Sequence, residues 1–273
     1  MRKAAVSLGG FAFACGLVLA APMVHAADGT WSKTWNVSGA STELRLDADF
    51  GSVHVVHGAS NTIRANVTST YWRIEPSEVE ISDSQNGNQV EIRIHTPKHN
   101  GGGWFHWHSP KLQVDLEVPT GSRLDLHTGF GDILGDDLKV NARVDTGFGN
   151  VRFPRFSGQL DGETGFGDLT TEGKFEALRL KTGFGSVKAE ADSGSKIRDD
   201  WRLETGFGDV VLRVPSDLDA DIDASTGMGH VSTDIPLAVT ESSSHSLLRG
   251  HLGKGGAPVE LETGFGSVHI GRS

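Results

Sequence analysis

The chain has 273 residues, 25 basic against 35 acidic side chains, a formal net charge of −10 and one cysteine. A surface this acidic, with no Lys/Arg cluster, argues against nucleic acid or anionic membrane as partner. The single thiol excludes a disulfide framework, so packing and backbone hydrogen bonds must hold the fold, which a chain of this size can manage.

In chain order, Arg2 and Lys3 precede an apolar stretch from Ala4 to Met23, then Val24-His25-Ala26. This pattern reads as a secretory signal peptide over 1–26, cleaved after Ala26. Gly9, Gly10, Gly16 and Pro22 interrupt the stretch, which favours a cleaved leader over an anchor. No later segment is apolar enough to span a bilayer, so the protein is expected without a transmembrane segment once cleaved. Cys15 lies inside the leader behind Ala12-Phe13-Ala14, without the Leu usual before a lipidated cysteine, so the exported protein has no thiol. Export to the periplasm or to the cell surface and medium fits equally.

Residues 27–119 read as an irregular β region. Val53–Val56, Val90–Ile94 and Leu112–Val118 alternate apolar and polar residues, and polar turns such as Asp83–Gly87 separate them. The pattern looks antiparallel and is expected to run on into the repeats as one continuous domain. Inside it, Gly101-Gly-Gly precedes Trp104, Phe105, His106, Trp107 and His108. Aromatic side chains on a glycine-rich connection can form a platform for a protein or glycan, or fold back to plug a core. These five residues are the candidate binding surface. His95 and His99 are nearby, but without Cys or a spaced carboxylate no metal site is assigned.

Residues 120–273 carry a repeat. Thr-Gly-Phe-Gly begins at Thr128, Thr146, Thr164, Thr182, Thr205 and Thr263, and Thr226-Gly-Met-Gly is a seventh copy. The offsets are 18, 18, 18, 23, 21 and 37 residues. A period near 20 residues is the signature of stacked units, and 37 reads as two periods with one eroded copy between them. A weaker copy, Leu44 to Val53, replaces the Thr by Ala48 and the first Gly by Asp49.

Leu124, Leu126, Thr128 and Phe130 share one parity; Arg123, Asp125 and His127 take the other. That is a half-buried strand, and it places Phe on the buried side. Beyond the motif the apolar parity slips by one, to Ile133, Val151, Leu169, Val187, Val210, Val231 and Val268, a shift the second Gly can absorb in a bulge or turn. Each unit is therefore strand, kink, strand. Stacking predicts an internal ladder of Phe50, Phe130, Phe148, Phe166, Phe184, Phe207, Met228 and Phe265 about 4.8 Å apart. An exposed adhesive stripe is the alternative. Asp217 to Ala224 continues the alternation, whereas Thr240 to Gly256 is rich in Ser, Gly and His and reads as a loop.

Gly-Phe-Gly-Asp resembles phosphate and calcium motifs, but a dinucleotide fingerprint needs a following helix. The post-glycine residues Asp132, Asn150, Asp168, Ser186, Asp209, His230 and Ser267 are too varied for a calcium site and suit turn capping. No nucleophile elbow or carboxylate pair stands out, so no catalytic residue and no cofactor is implied.

The leader, Gly51-Ser-Val-His-Val, the Val114-to-Pro119 strand and the tandem Leu-x-Thr-Gly-x-Gly-Asp-Val units together resemble the bacterial "putative adhesin" domain family. That resemblance covers nearly the whole exported chain and implies an extracytoplasmic β-solenoid, with adhesion proposed and no assigned site residues. The reading that follows is all-β, a β-solenoid or β-helix-like stack of units of about 18–23 residues with an irregular N-terminal region. Its function would be that of a non-enzymatic, adhesin-like or envelope structural protein whose partner is a protein or glycan of the cell envelope. A periplasmic ligand-binding or sensing module using residues 101–110 is the alternative.

Overall fold

The computed structural model describes residues 24–26, 29–38, 41–70, 72–96, 111–243 and 245–273. The leader up to residue 23, Cys15 included, and the Trp/His segment 101–110 lie outside the described residues, as does His99. Among the described residues all regular structure is β, and no helix is long and apolar enough to cross a membrane.

The N-terminal strands are β1 (Val24–Ala26), β2 (Thr30–Asn36), β3 (Glu43–Ala48), β4 (Ser52–His57), β5 (Thr62–Thr70), β6 (Glu80–Asn86), β7 (Gln89–His95) and β8 (Lys111–Val118). The repeats supply β9 (Arg123–Phe130), β10 (Ile133–Asp136), β11 (Lys139–Phe148), β12 (Val151–Phe166), β13 (Leu169–Phe184), β14 (Val187–Ala191), β15 (Trp201–Phe207) and β16 (Val210–Val214). The C-terminal part adds β17 (Ala220–Met228), β18 (Val231–Thr233), β19 (Ala238–Ser243), β20 (Leu247–Leu252), β21 (Pro258–Phe265) and β22 (Val268–Arg272).

Equal spacing in sequence becomes register in space. The pairs β9–β11, β11–β12, β12–β13 and β13–β15 are parallel, with Thr128, Thr146, Thr164, Thr182 and Thr205 side by side. The 23-residue offset keeps register because the five extra residues are accommodated in the connection between β14 and β15. The sheet does not close. Leu124, Leu126, Val144, Leu160, Leu178, Leu180 and Leu203 point inward from these strands, Ile133, Val151, Leu169, Val187 and Val210 from the strands beyond the kink. A buried aromatic cluster of Phe153, Phe156, Phe175 and Trp201 fills the middle, with Phe175 and Trp201 meeting edge to face at 6.0 Å.

Stacking order departs from chain order at both ends. The C-terminal pair β21 and β22 inserts between β15/β16 on one side and β17/β18 on the other. Likewise β3 and β4 lie between β7/β8 and β9/β10. The weak early copy is thus a true neighbour of the first full one, with Ala48 opposite Thr128 and Val53 opposite Ile133. Antiparallel strands flank both ends: β6 on β7, β5 on β8 and β2, β20 on β17, and β19 on β20.

Two expectations need correction. The 37-residue gap holds no eroded unit, because β21 already stacks directly on β17 and the intervening chain forms the antiparallel pair β19–β20. For the same reason Thr240 to Gly256 is largely strand, not loop.

Candidate functional site

The motif is a corner, and each of its residues does a separate job there. Thr128, Thr146, Thr164, Thr182, Thr205, Thr226 and Thr263 are buried, and each donates its hydroxyl to the carbonyl of a motif glycine in the adjacent unit, or of Gly51 for Thr128, at 2.7 to 3.1 Å. The backbone ladder breaks at this point. Gly149 N–H donates to Phe166 O and Val151 N–H to Asp168 O, both at 2.9 Å, which leaves one acceptor and one donor over. Thr164 takes the acceptor, the carbonyl of Gly149, at 2.9 Å. Asn150 Oδ1 takes the donor, the Asp168 N–H, also at 2.9 Å. Asp132, Asp168 and Asp209 accept from Asn150, Ser186 and Ser267 in the same way at 2.7 to 2.8 Å. At these kinks the groups that the backbone ladder leaves over are thereby taken by side chains that the sequence repeats.

The two glycines are steric necessities. A Cβ on Gly165 would lie 2.6 Å from the Gly147 carbonyl oxygen. Gly167 adopts φ of 153°, where side chains are strained, and a Cβ there would overlap the Gly149 carbonyl.

Between them the Phe turns outward. Phe130 is 52% exposed, Phe166 is 47% and Met228 is 66%, so the expected internal ladder is an external one. The parity slip falls between Thr and Phe, not after the motif: Gly129 carries the chain around the corner, and the buried side ends at Thr128. The ladder itself is regular. Phe130, Phe148, Phe166, Phe184, Phe207 and Phe265 stack with centroids 4.8 to 5.0 Å apart and planes within 3°. Met228 is paired in register with Phe265 as the next rung. Phe50 is only partly buried and lies against Trp72, centroids 6.2 Å apart and tilted by 57°.

The resulting ridge runs between two polar columns. On one side, in register, stand His127, Asp145, Glu163, Lys181, Glu204 and Glu262. On the other stand Asp132, Asn150, Asp168, Ser186, Asp209 and Ser267, which follow the second glycine of each unit and include the four amide caps Asp132, Asn150, Asp168 and Asp209. His127 Nδ1 sits 2.7 Å from Asp145 Oδ1, and His95 Nδ1 sits 2.6 Å from Asp49 Oδ2. Because each ring covers its neighbours' faces, a visiting molecule meets ring edges rather than faces.

The sequence points to residues 104–108, which lie outside the described residues, and favours the ladder as internal packing, with an exposed stripe as the alternative; the exposure of the Phe side chains matches that alternative. The signal that could have placed the Phe outside is the glycine on either side, which leaves a bulky side chain between two residues that cannot tolerate one.

In class, then, this is an all-β protein with parallel in-register repeats and one continuous aromatic ridge on its surface. No family model matches the chain, and no curated protein matches it. A solved "putative cell adhesion protein" from Clostridium sporogenes is similar at 15% identity and a TM-score of 0.45, covering 89% of this chain and 100% of that one. A "putative adhesin" from Bacteroides fragilis gives 9% identity and 0.30, covering 90% and 98%. A "putative lipid binding protein" from Parabacteroides distasonis gives 11% identity and 0.34, covering 90% and 97%.

Proposed function

We propose that this chain is an exported, non-enzymatic β-solenoid that works as an adhesin-like interaction protein of the cell envelope, with the Phe ridge as its contact surface. The exposure of six stacked Phe side chains carries the reading. At nearly half of about 200 Å² each, the ridge offers water roughly 600 Å² of apolar surface, the size at which a patch on a soluble protein is commonly functional. A packing role alone would be served by Thr or Val at the same rung without this exposure. The ring faces are taken up by stacking, which disfavours sugar rings that need an open aromatic face and favours an apolar protein surface.

The test uses beads coated with the protein and purified envelope fragments of the producing cell. F166Q/F184Q should lose most retention while its circular dichroism spectrum stays that of the parent. Retention equal to the parent's would overturn the reading. Loss confined to W104A/W107A would instead favour the sensing module built on residues 101–110.

A further inference from the structure

Resting on the ridge as a contact surface, the geometry points to its occupant: we propose that the ridge docks against the same ridge of a second copy of this chain, the two ladders antiparallel about a two-fold axis. Three observations meet here.

The first is period. The rungs repeat at 4.8 Å. A strand laid along the ridge would repeat its facing side chains every ~6.7 Å. A helix would do so every ~5.4 Å and slip by more than half a rung over the five steps from Phe130 to Phe265. Another ladder of the same spacing stays in step throughout, so each ring edge can meet a ring edge of the partner along a dry seam, as in tightly packed β interfaces.

The second is area. The six Phe present about 600 Å² of apolar side chain, roughly three quarters of the ~800 Å² per partner of a stable interface. The polar columns would add the rim. Each copy has one such ridge, so the contact is self-complementary and closes at two.

The third is charge. Setting six Phe on six Phe with ladders antiparallel puts the axis between Phe166 and Phe184. On one flank His127 then faces Glu262 and Glu163 faces Lys181, leaving Asp145 against Glu204 as the only like pair. On the other flank each acid meets a neutral side chain: Asp132 meets Ser267, Asp168 meets Ser186, and Asp209 meets Asn150. Parallel ladders would instead oppose Glu163 to Asp168 and Glu204 to Asp209. Like charges so placed are what a wrong arrangement would have to overcome.

Sedimentation equilibrium of the protein purified from the producing cell, from about 1 to 100 μM, tests this. The expected result is a monomer–dimer equilibrium that tightens as salt screens the net negative charge of the two copies. F166Q/F184Q should weaken it by at least about thirtyfold while the variant stays folded, since both removed side chains lie at the dimer's centre. D145K, which lies off the ladder, should tighten it by roughly tenfold by turning the like pair with Glu204 into two attractive ones per dimer. A parent that stays monomeric at 100 μM overturns the proposal, as does F166Q/F184Q dimerising like the parent. D145K without effect overturns the antiparallel pairing. If the parent is monomeric yet envelope retention still depends on Phe166 and Phe184, the second-copy proposal falls and the ridge reading stands; if retention is also unchanged, both fall.

Discussion

Replacing Phe166 by Ala measures how much of the ridge is packing and how much is surface. With 47% of the residue exposed, about 100 Å² of side chain is shielded, worth at most ~2.5 kcal/mol at 25 cal/mol per Å². Alanine keeps its Cβ, which returns about 0.8 kcal/mol. Two stacked neighbours, each 4.8 Å away, add about 0.5 kcal/mol apiece. No closed cavity forms, since the site opens to solvent, so the expected cost is about 2 to 3 kcal/mol. Phe153, fully buried in the aromatic cluster, should cost about 3 to 5 kcal/mol on the same change. Phe265 lies between Phe207 and Met228 rather than at an end of the stack, so Phe265→Ala should match Phe166→Ala, and the milder terminal rungs are Phe130 and Met228. Guanidinium midpoints at constant slope give the ordering. A Phe166→Ala protein as stable as the parent, or one as damaged as Phe153→Ala, would refute the half-buried account.

Thr164→Val keeps the shape but strips the hydroxyl from the Gly149 carbonyl, and a loss of about 1 to 2 kcal/mol is expected by denaturant titration; an unchanged midpoint would mean that water serves that carbonyl equally well. Gly167→Ala combines a strained φ with overlap of the Gly149 backbone, so the protein should fail to fold or lose several kcal/mol, far more than a surface Ala substitution. At the C-terminal turn, the Gly256 N–H first and His251 second hold the Asp221 carboxyl below its usual range. A folded pKa below the unfolded one contributes stability above the unfolded value and loses it as pH falls through the folded one. Protection of the β20 amides, taken relative to intrinsic exchange at each pH, should therefore fall on acidification below about pH 4, and Asp221→Asn should flatten that response; equal acid sensitivity in the two proteins would count against the assignment.

Much of the fold was legible because offsets of 18 residues translate directly into register, as Thr146 beside Thr164 shows. What stacks on what was not legible, because motif spacing along the chain carries no information on spatial order. The C-terminal copy at Thr263 therefore looked like a distant last unit, although it sits between those of Thr205 and Thr226. The Phe face was misread because parity was carried through Gly129, and a residue without Cβ hides the point where the strand changes face. The buried aromatic cluster escaped notice for a related reason. Phe153 and Phe156 are three apart, an odd spacing that breaks the period of two, and they share the core only because the ladder shifts register between them with Arg155 at φ 53°.

The way the ends are built bears on how such a protein can make contacts at all. A stack of parallel strands presents open N–H and C=O groups at each end, a standing template for further strands. Here both inserted pairs, β3/β4 and β21/β22, are held by neighbours on two sides. Among the described residues the outer positions include antiparallel strands of mostly polar sequence, Glu80–Asn86 at one end and Ala238–Ser243 at the other, beside the three-residue strands β1 and β18. Charged and hydroxyl side chains on short edge strands discourage end-to-end pairing. Backbone-mediated growth along the stack is thus blunted, while the apolar side chains at the corners are left uncovered along its flank. The chain places most of its exposed hydrophobic surface in one line along the stack, facing sideways from the direction in which β structure would otherwise propagate. That division lets lateral contact through the ridge coexist with a solubility that an exposed strand edge of equal length would undermine.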